Sequence, residues 1–178
     1  MKQLSLIIIL FGLFSCQTKI ENSNPLIFED EVNFKTLRQV TFGGDNAEAY
    51  WSFDDKQLVF QSNNNKWNVE CDQMFLMNAD QTFKNNDPKM ISTGLGRTTC
   101  SYFLPDNEHI LYASTHEDNE KCPEVPLRKE GKYVWPIYDS FDIYVSDLNG
   151  KITNKLTDQV GYDAEATVSP KGDKIVFT

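Results

Sequence analysis

The sequence predicts an all-β protein, namely a β-propeller of four-stranded blades of which this chain contains about two and a half. Three observations support this prediction. Short runs of β-branched, aliphatic and aromatic residues, which suit a buried pleated surface, recur at 58–60, 110–112 and 175–177. Each run follows a turn, and the order of turn and strand is the same in every copy. The equivalent residues Glu48, Cys100 and Glu165 are 52 and 65 residues apart, a spacing typical of propeller repeats.

The first fifteen residues have the pattern of a secretory signal peptide. Lys2 supplies a positive charge, and an apolar run follows from Leu4 to Phe14. This run is too short to cross a bilayer, which requires about 20 residues. We therefore expect residues 1–15 to be removed on export.

The residues Leu13-Phe14-Ser15-Cys16 resemble a bacterial lipobox, in which the cysteine becomes the acylated first residue of the mature chain. The resemblance implies lipidation at Cys16 and a lipid anchor in the bacterial envelope. Because Gln17 is not acidic, the resemblance favours the outer membrane. We expect the protein to face the periplasm, with a surface-exposed orientation as the alternative. The alternative is an ordinary signal peptide followed by an incidental cysteine.

Residues 16–34 are predicted to form the lipidated cysteine and a flexible tether, because 17–25 are polar and lack periodicity. Within this stretch Leu26-Ile27-Phe28 is a short apolar patch, suited to an edge strand or to packing under the first blade. The propeller is predicted to begin at 35. Its units are expected at about 35–85 and 86–150, with an incomplete unit at 151–178.

The last unit shows the repeated hairpin most clearly. The pattern predicts strands at 164–168 and 174–177, joined by a turn at 169–172. Pro170 fits the first turn position because its φ is fixed near −65°, and Gly172 tolerates the positive φ needed where the chain reverses. A third strand is predicted in both complete units, at 73–80 and 142–150.

A long insertion, Thr115 to Ser140, separates the second and third strands of the middle unit, where the first unit has only the short loop 63–70. Its three prolines and the aromatic residues Tyr133, Trp135 and Tyr138 predict a loop that packs on itself. Long ordered loops on rigid scaffolds often bind partners. A lid that fills the top of the blade is the alternative.

In a propeller, the loops before the first strand and after the second strand of each blade share one face of the ring. We predict this acidic face, rimmed by the insertion, as the binding surface. Its candidate residues are Asn46, Glu48, Arg97, His116, Trp135, Asp163 and Glu165.

Three cysteines follow Cys16, an odd number for an exported and therefore oxidised chain. One disulfide is predicted, with Cys100 and Cys122 favoured because that bond would attach the insertion to its own blade. Cys71 is the alternative partner, and three reduced cysteines are a further possibility. No metal site is predicted, because the cysteines and His116 lack the paired close spacing of zinc ligands.

Charge and motifs exclude several functions. The formal net charge of −9 would repel nucleic acid. The chain has no Gly-x-Ser-x-Gly nucleophile turn, and no catalytic residue or cofactor is predicted. Asp163 and Glu165 recur as Asn46 and Glu48, which favours a structural role at strand ends. A cation held between Glu48 and Glu165 is the alternative.

The repeat resembles that of TolB-type periplasmic propeller proteins. The resemblance covers about 35–178, with the middle copy departing most from the pattern. The motifs that support it are Asp163-Ala164-Glu165, Ser169-Pro170-Lys171-Gly172, Ile175-Val176-Phe177 and the run from Asp142 to Gly150.

The resemblance implies a non-catalytic, membrane-anchored module that binds a protein, peptide or other ligand in the cell envelope. Similar propellers also cap prolyl oligopeptidase-type serine peptidases. The alternative function is therefore a gating propeller whose catalytic domain lies beyond residue 178. Because propellers usually have at least four blades, we expect this chain to be a fragment of a longer protein.

Overall fold

Short hairpins build the fold, which was obtained as a computed structural model describing residues 24–84, 86–125, 131–132 and 135–178. The chain divides into two compact units, 1–38 and 39–178. In the first unit, residues 24–34 form turns, and the Asn24 side chain donates a hydrogen bond to Leu37 O at 2.6 Å. The apolar patch at 26–28 is not in a strand.

The second unit contains the strands of the all-β fold that the sequence predicts. They are β1 (Asp45–Trp51), β2 (Gln57–Asn63), β3 (Gln73–Asn78), β4 (Lys89–Met90), β5 (Thr98–Phe103), β6 (His109–Ser114), β7 (Ser140–Asp147), β8 (Ile152–Lys155), β9 (Gly161–Tyr162), β10 (Thr167–Val168) and β11 (Ile175–Val176). A single 3₁₀ turn, Asn65–Trp67, lies between β2 and β3.

These strands form three sheets, which we call sheets 1, 2 and 3. Sheet 1 is antiparallel in the order β1-β2-β3-β4, and sheet 2 has the order β5-β6-β7-β8 with β9 added in parallel to β7. Sheet 3 is the β10-β11 hairpin. The fourth strands β4 and β8 lie beyond the unit boundaries that the sequence predicts after residues 85 and 150. The sequence gives no signal for these strands because β4 is too short and β8 is too polar.

The hairpin turns are equivalent in all three sheets. Asp55, Asn107 and Gly172 occupy the same turn position, with φ of 59°, 58° and 72°. Asn and Asp tolerate this left-handed conformation better than other residues with a Cβ, and Gly adopts it freely. The prediction of a positive φ at Gly172 is therefore confirmed, and Asp55 and Asn107 replace glycine in the other two turns.

Apolar side chains lie on both faces of the sheets because successive residues of a strand point to opposite sides. Between sheets 1 and 2, Val59 contacts a core that includes Phe103, Tyr112 and Tyr144. Between sheets 2 and 3, Leu111 lies in a core with Val168. A third cluster covers the other face of sheet 1, where the buried residues are Phe60, Val69, Phe75, Met77 and Phe83.

Among the residues that the structure describes, no helix is long and apolar enough to cross a membrane. The predicted signal peptide (1–15) and the lipidation residue Cys16 lie outside those residues.

Candidate functional site

The innermost strands break their register at the repeated position. The pairing of β1 with β2 shifts between Ala47 and Tyr50, and that of β5 with β6 shifts between Thr99 and Tyr102. The residues within these irregularities, Glu48 and Cys100, both have φ of 49°, and the equivalent residue Glu165 has φ of 56°. A bulge of this kind redirects a side chain out of the pleat. The left-handed backbone therefore recurs in all three repeats, and the register break accompanies it in the first two.

These three residues line one cavity of about 320 Å³. Every lining residue comes from the innermost strand of a repeat or the segment leading into it, and the set is Glu48, Tyr50, Cys100, Ser101, Tyr102, Glu165, Ala166 and Thr167. The rings of Tyr50 and Tyr102 are tilted against each other with centroids 5.3 Å apart. The Tyr50 hydroxyl donates a hydrogen bond to Glu48 Oε2 at 2.9 Å.

The cavity has an acidic character. The hydrogen bond to the Glu48 carboxylate raises the pKa of Tyr50 to about 12. Burial, with smaller contributions from Glu48 and Glu165, raises the pKa of the Cys100 thiol to about 11. None of the residues that line the cavity is basic. Two carboxyl groups, a thiol and phenols therefore face the same space, an arrangement suited to a positively charged ligand.

The structure corrects the predicted disulfide. Cys71 is bonded to Cys122, with Cα atoms 5.9 Å apart, and Cys100 is the free cysteine among the described residues. Cys100 does not form the disulfide because its bulge directs its side chain into the cavity. Cys71 is reached because the insertion folds back over it, with Gly96 N–H donating to Glu120 O at 2.8 Å.

Arg97 is buried beside this disulfide, where it forms an ion pair with Asp72. Its Nη2 lies 3.7 Å from Cys122 Sγ. Its backbone is also held, since Arg97 N–H donates to Thr115 Oγ1 and Thr115 N–H donates to Arg97 O, both at 3.0 Å. Arg97 therefore anchors the start of the insertion and does not present its charge to a ligand.

Three other predicted face residues also contact the protein itself. The Asn46 amide donates to Gly43 O at 3.0 Å and its Oδ1 accepts from Ser62 Oγ at 3.0 Å. The His116 ring lies against Tyr144, with centroids 4.6 Å apart, and burial lowers its pKa. Asp163 is half-buried, and its N–H donates to the carbonyl of Phe141.

The described part of the insertion ends in an aromatic group. Trp135 Nε1 donates to Tyr162 Oη at 3.2 Å, and Tyr138 Oη donates to Glu124 O at 2.8 Å. The Phe141 ring contacts both tyrosines, with centroids 6.0 Å from Tyr138 and 5.5 Å from Tyr162. Tyr133 of the predicted aromatic set lies outside the described residues. Tyr138 contacts Glu124 within the insertion, but Trp135 and Tyr138 also contact Tyr162 and Phe141 of sheet 2, so the described part of the loop rests on the sheet as well as on itself.

Of the seven predicted face residues, Glu48 and Glu165 are the two that line the cavity. The sequence reasoning missed Tyr50 and Tyr102 as site residues. Both follow the repeated position by two residues, so the repeat itself carried a signal for them. In the described ranges, no three His, Cys, Asp or Glu side chains form a group able to hold a metal ion.

Known proteins do not assign this chain to a family: no protein-family model matches its sequence, and no curated protein matches it either. A functional assignment therefore depends on the geometry of the cavity and its surroundings.

Proposed function

We propose that this chain is a non-catalytic binding module of the bacterial envelope, built as part of a TolB-like β-propeller, whose cavity receives a cationic group of a protein or peptide partner. The observation that carries the proposal is the convergence of Glu48, Cys100 and Glu165 on one cavity. The same position in three repeats supplies the three side chains, and all three have the left-handed backbone that directs them there.

The arrangement of the sheets supports the propeller. The innermost strands of the repeats lie side by side, and each sheet contacts the next through its face rather than through its edge. Repeated sheets that pack in this way around their innermost strands are typical of propeller blades. The cavity then lies where a propeller has its central channel.

A cationic side chain or terminal ammonium fits the chemistry of this cavity. Its volume of about 320 Å³ lies at the lower end of the range for small-ligand sites, roughly 300–1,000 Å³. Glu48 and Glu165 come from different repeats and could contact a ligand from two sides. A lysine, arginine or amino-terminal group would gain charge-assisted hydrogen bonds there.

Peptides selected from a displayed library on the wild-type protein provide the test. We expect the selected peptides to contain lysine, arginine or a free amino terminus, and to lose at least tenfold in affinity when that group is replaced by norleucine or acetylated. The Glu48→Gln/Glu165→Gln variant should lose affinity to a similar degree, as measured by calorimetry.

The matched control is Glu108→Gln/Glu124→Gln, which removes the same charge at exposed positions outside the cavity. This variant should bind as the wild type does. Peptides without a cationic group, or equal affinity for the two double variants, would refute the cavity as the binding site.

The cellular location is part of the proposal. We propose export with a lipid on Cys16 and attachment to the outer membrane on its periplasmic side, and the pattern of the first seventeen residues supports the export and the lipid. The Cys71–Cys122 disulfide supports export, because disulfides persist in oxidising compartments. Mass spectrometry of the mature chain tests the anchor. The acyl mass should be present in the wild type and absent in Cys16→Ser.

A further inference from the structure

Gln61 of β2 is a buried side chain that reaches across the junction between sheets 1 and 2. It is 5% exposed and is not one of the residues that line the cavity. Its Oε1 accepts a hydrogen bond from Cys100 N–H at 3.3 Å and another from Thr99 Oγ1 at 2.9 Å. Because a backbone N–H can only donate, the oxygen of the Gln61 amide must face Cys100. One oxygen atom of sheet 1 therefore binds two consecutive residues of sheet 2.

The two residues that Gln61 binds lie where β5 leaves its regular pairing with β6. The pairing passes from Thr99 to Tyr102, so Cys100 has no Cα partner in β6. A bulge leaves its extra residue unpaired in the ladder, and a buried backbone donor without an acceptor costs free energy. Gln61 supplies an acceptor for this donor from outside the ladder.

The same contacts extend to the thiol of Cys100. Thr99 Oγ1 lies 3.1 Å from Cys100 Sγ. Thr99 has one hydroxyl proton and donates it to Gln61, so the S–H of Cys100 is the donor in its contact with Thr99. The N–H of Cys100 thus bonds to Gln61 directly, and its S–H is linked to Gln61 through Thr99. Gln61 therefore constrains both the backbone and the side chain of a residue that lines the cavity.

The next junction shows that sheet packing does not itself require such an acceptor. In the aligned repeats Gln61 corresponds to Ala113, because Ala47 pairs with Gln61 and Thr99 pairs with Ala113. Ala113 has no polar side-chain atom, yet it is 1% exposed where it packs with Ala164 of the third repeat. The amide of Gln61 therefore serves the bulge at Cys100 rather than the contact between sheets in general.

We propose that Gln61 is a positioning residue of the binding cavity, whose amide oxygen holds the bulge that presents Cys100 to a ligand. Gln61 acts through Cys100 and does not touch the ligand. The inference rests on the proposed function in taking this cavity as the binding site. The position of Cys100 can nevertheless be measured without any ligand, through the reactivity of its thiol.

Alkylation of the full chain by iodoacetamide, followed over a range of pH, tests the proposal. Burial raises the pKa of the Cys100 thiol to about 11, and the thiolate is the reactive form, so the wild type should react slowly. Gln61→Met removes the acceptor from a side chain of similar length. We expect its rate at about pH 8 to rise at least tenfold, because the released thiol becomes hydrated and its pKa falls towards about 8.5.

Mass spectrometry follows this thiol separately from the other cysteines. Cleavage after Arg97 and Lys121 gives a peptide that contains Cys100 but neither Cys71 nor Cys122. The alkylated fraction of that peptide gives the rate for Cys100 in each variant.

Two further variants separate positioning from a general loss of packing. Gln61→Glu keeps an oxygen acceptor at the same reach and adds a negative charge that opposes thiolate formation, so its rate should not exceed that of the wild type. The matched control is Gln73→Met. Gln73 is another buried glutamine of sheet 1, but its amide bonds to Ser92 and Gly96, so this variant should react as the wild type does.

Equal alkylation rates in Gln61→Met and Gln73→Met would overturn the proposal. Amide hydrogen exchange of the wild type adds a test that needs no variant: the Cys100 N–H should be protected, and exchange as fast as that of an exposed amide would also overturn the proposal. Selection of peptides without a cationic group would refute the proposed function and leave the alkylation rates unchanged. The two failures are therefore distinguishable.

Discussion

Glu48, Cys100 and Glu165 share a left-handed backbone that costs an L-residue roughly 1–2 kcal/mol. Glycine would adopt it without that cost, yet each repeat has a side chain at this position. Strain of this kind tends to persist where the side chain has a use. At these positions the side chains line the cavity, so the proposed binding role accounts for the strained backbone.

The Glu48–Tyr50 pair gives a prediction at the scale of single residues. Because the Glu48 carboxylate accepts the phenolic proton in a hydrogen bond, it raises the pKa of Tyr50 to about 12. Glu48→Gln should therefore lower the pKa of Tyr50 towards its ordinary value of about 10. Carbon NMR of ring-labelled tyrosine during a pH titration would follow the change.

The same pair affects stability in a defined pH window. A pKa that is higher in the folded state than in the unfolded state contributes stability below about pH 10, which is lost as the pH rises towards 12. Wild type and Glu48→Gln should therefore converge in stability across that window. Glu108→Gln is the control and should leave the Tyr50 titration unchanged. An unchanged Tyr50 pKa in Glu48→Gln would show that the hydrogen bond is not its cause.

At the scale of elements, the hairpins were predictable from the sequence, whereas the fourth strands β4 and β8 were not. Strands β2 and β6 contain the aliphatic and aromatic runs that predict them, and Pro170 and Gly172 marked a turn. β4 has two residues, and three of the four in β8 are polar, so each is a strand only because β3 or β7 offers an edge for hydrogen bonding.

The disulfide and the cavity show why the site was only partly predictable. The Cys71–Cys122 pairing depends on how the insertion folds back against Gly96, and no local pattern encodes that path. Glu48 and Glu165 were predictable because the repeat aligned them. The repeat aligned Cys100 with them as well, but its residue type suggested a disulfide, and only the bulge at this position shows that its side chain lines the cavity instead.

Gly96 provides the element-scale prediction, with Gly43 as its matched control. Both glycines have positive φ, of 57° and 80°, so alanine is strained at each. A Cβ on Gly96 would also lie 2.7 Å from His116 N and 2.8 Å from Thr115 Oγ1, whereas a Cβ on Gly43 meets nothing within 4 Å. Gly43→Ala should cost about 1–2 kcal/mol of unfolding free energy from backbone strain.

Gly96→Ala should cost roughly 1–3 kcal/mol more than Gly43→Ala, because the start of the insertion must move. Urea unfolding of the two variants measures this difference. Equal losses of stability would mean that the insertion adapts freely to the added methyl group, and that its close approach to Gly96 does not hold it.

At the scale of the whole molecule, successive sheets are held mainly by their contacting faces, and in the part of the chain that the structure describes one disulfide adds a covalent link. The disulfide joins Cys71, two residues before β3, to Cys122 in the insertion of the next repeat. The buried Asp72–Arg97 ion pair lies directly beside it. Sheet 1, the Gly96 turn and the insertion are thus connected by a bond, an ion pair and several backbone hydrogen bonds.

Removing the disulfide tests how much of the molecule depends on that connection. The two cysteines are 51 residues apart, and closing a loop of that size stabilises a fold by about 4 kcal/mol in the chain-entropy account. Cys71→Ser/Cys122→Ser should therefore lower the unfolding free energy by roughly 2–4 kcal/mol in urea. Cys100→Ser, which leaves the bond intact, should change it much less.

Hydrogen exchange would show where the stability is lost. In the double variant, the amides of Gly96 and Thr115, which bond across the junction, should exchange faster under native conditions. Those of β6, which is paired on both sides within sheet 2, should keep their protection relative to global unfolding. A uniform loss of protection over the chain would show instead that the disulfide stabilises all sheets together, and the junction would then not be a separate cooperative element.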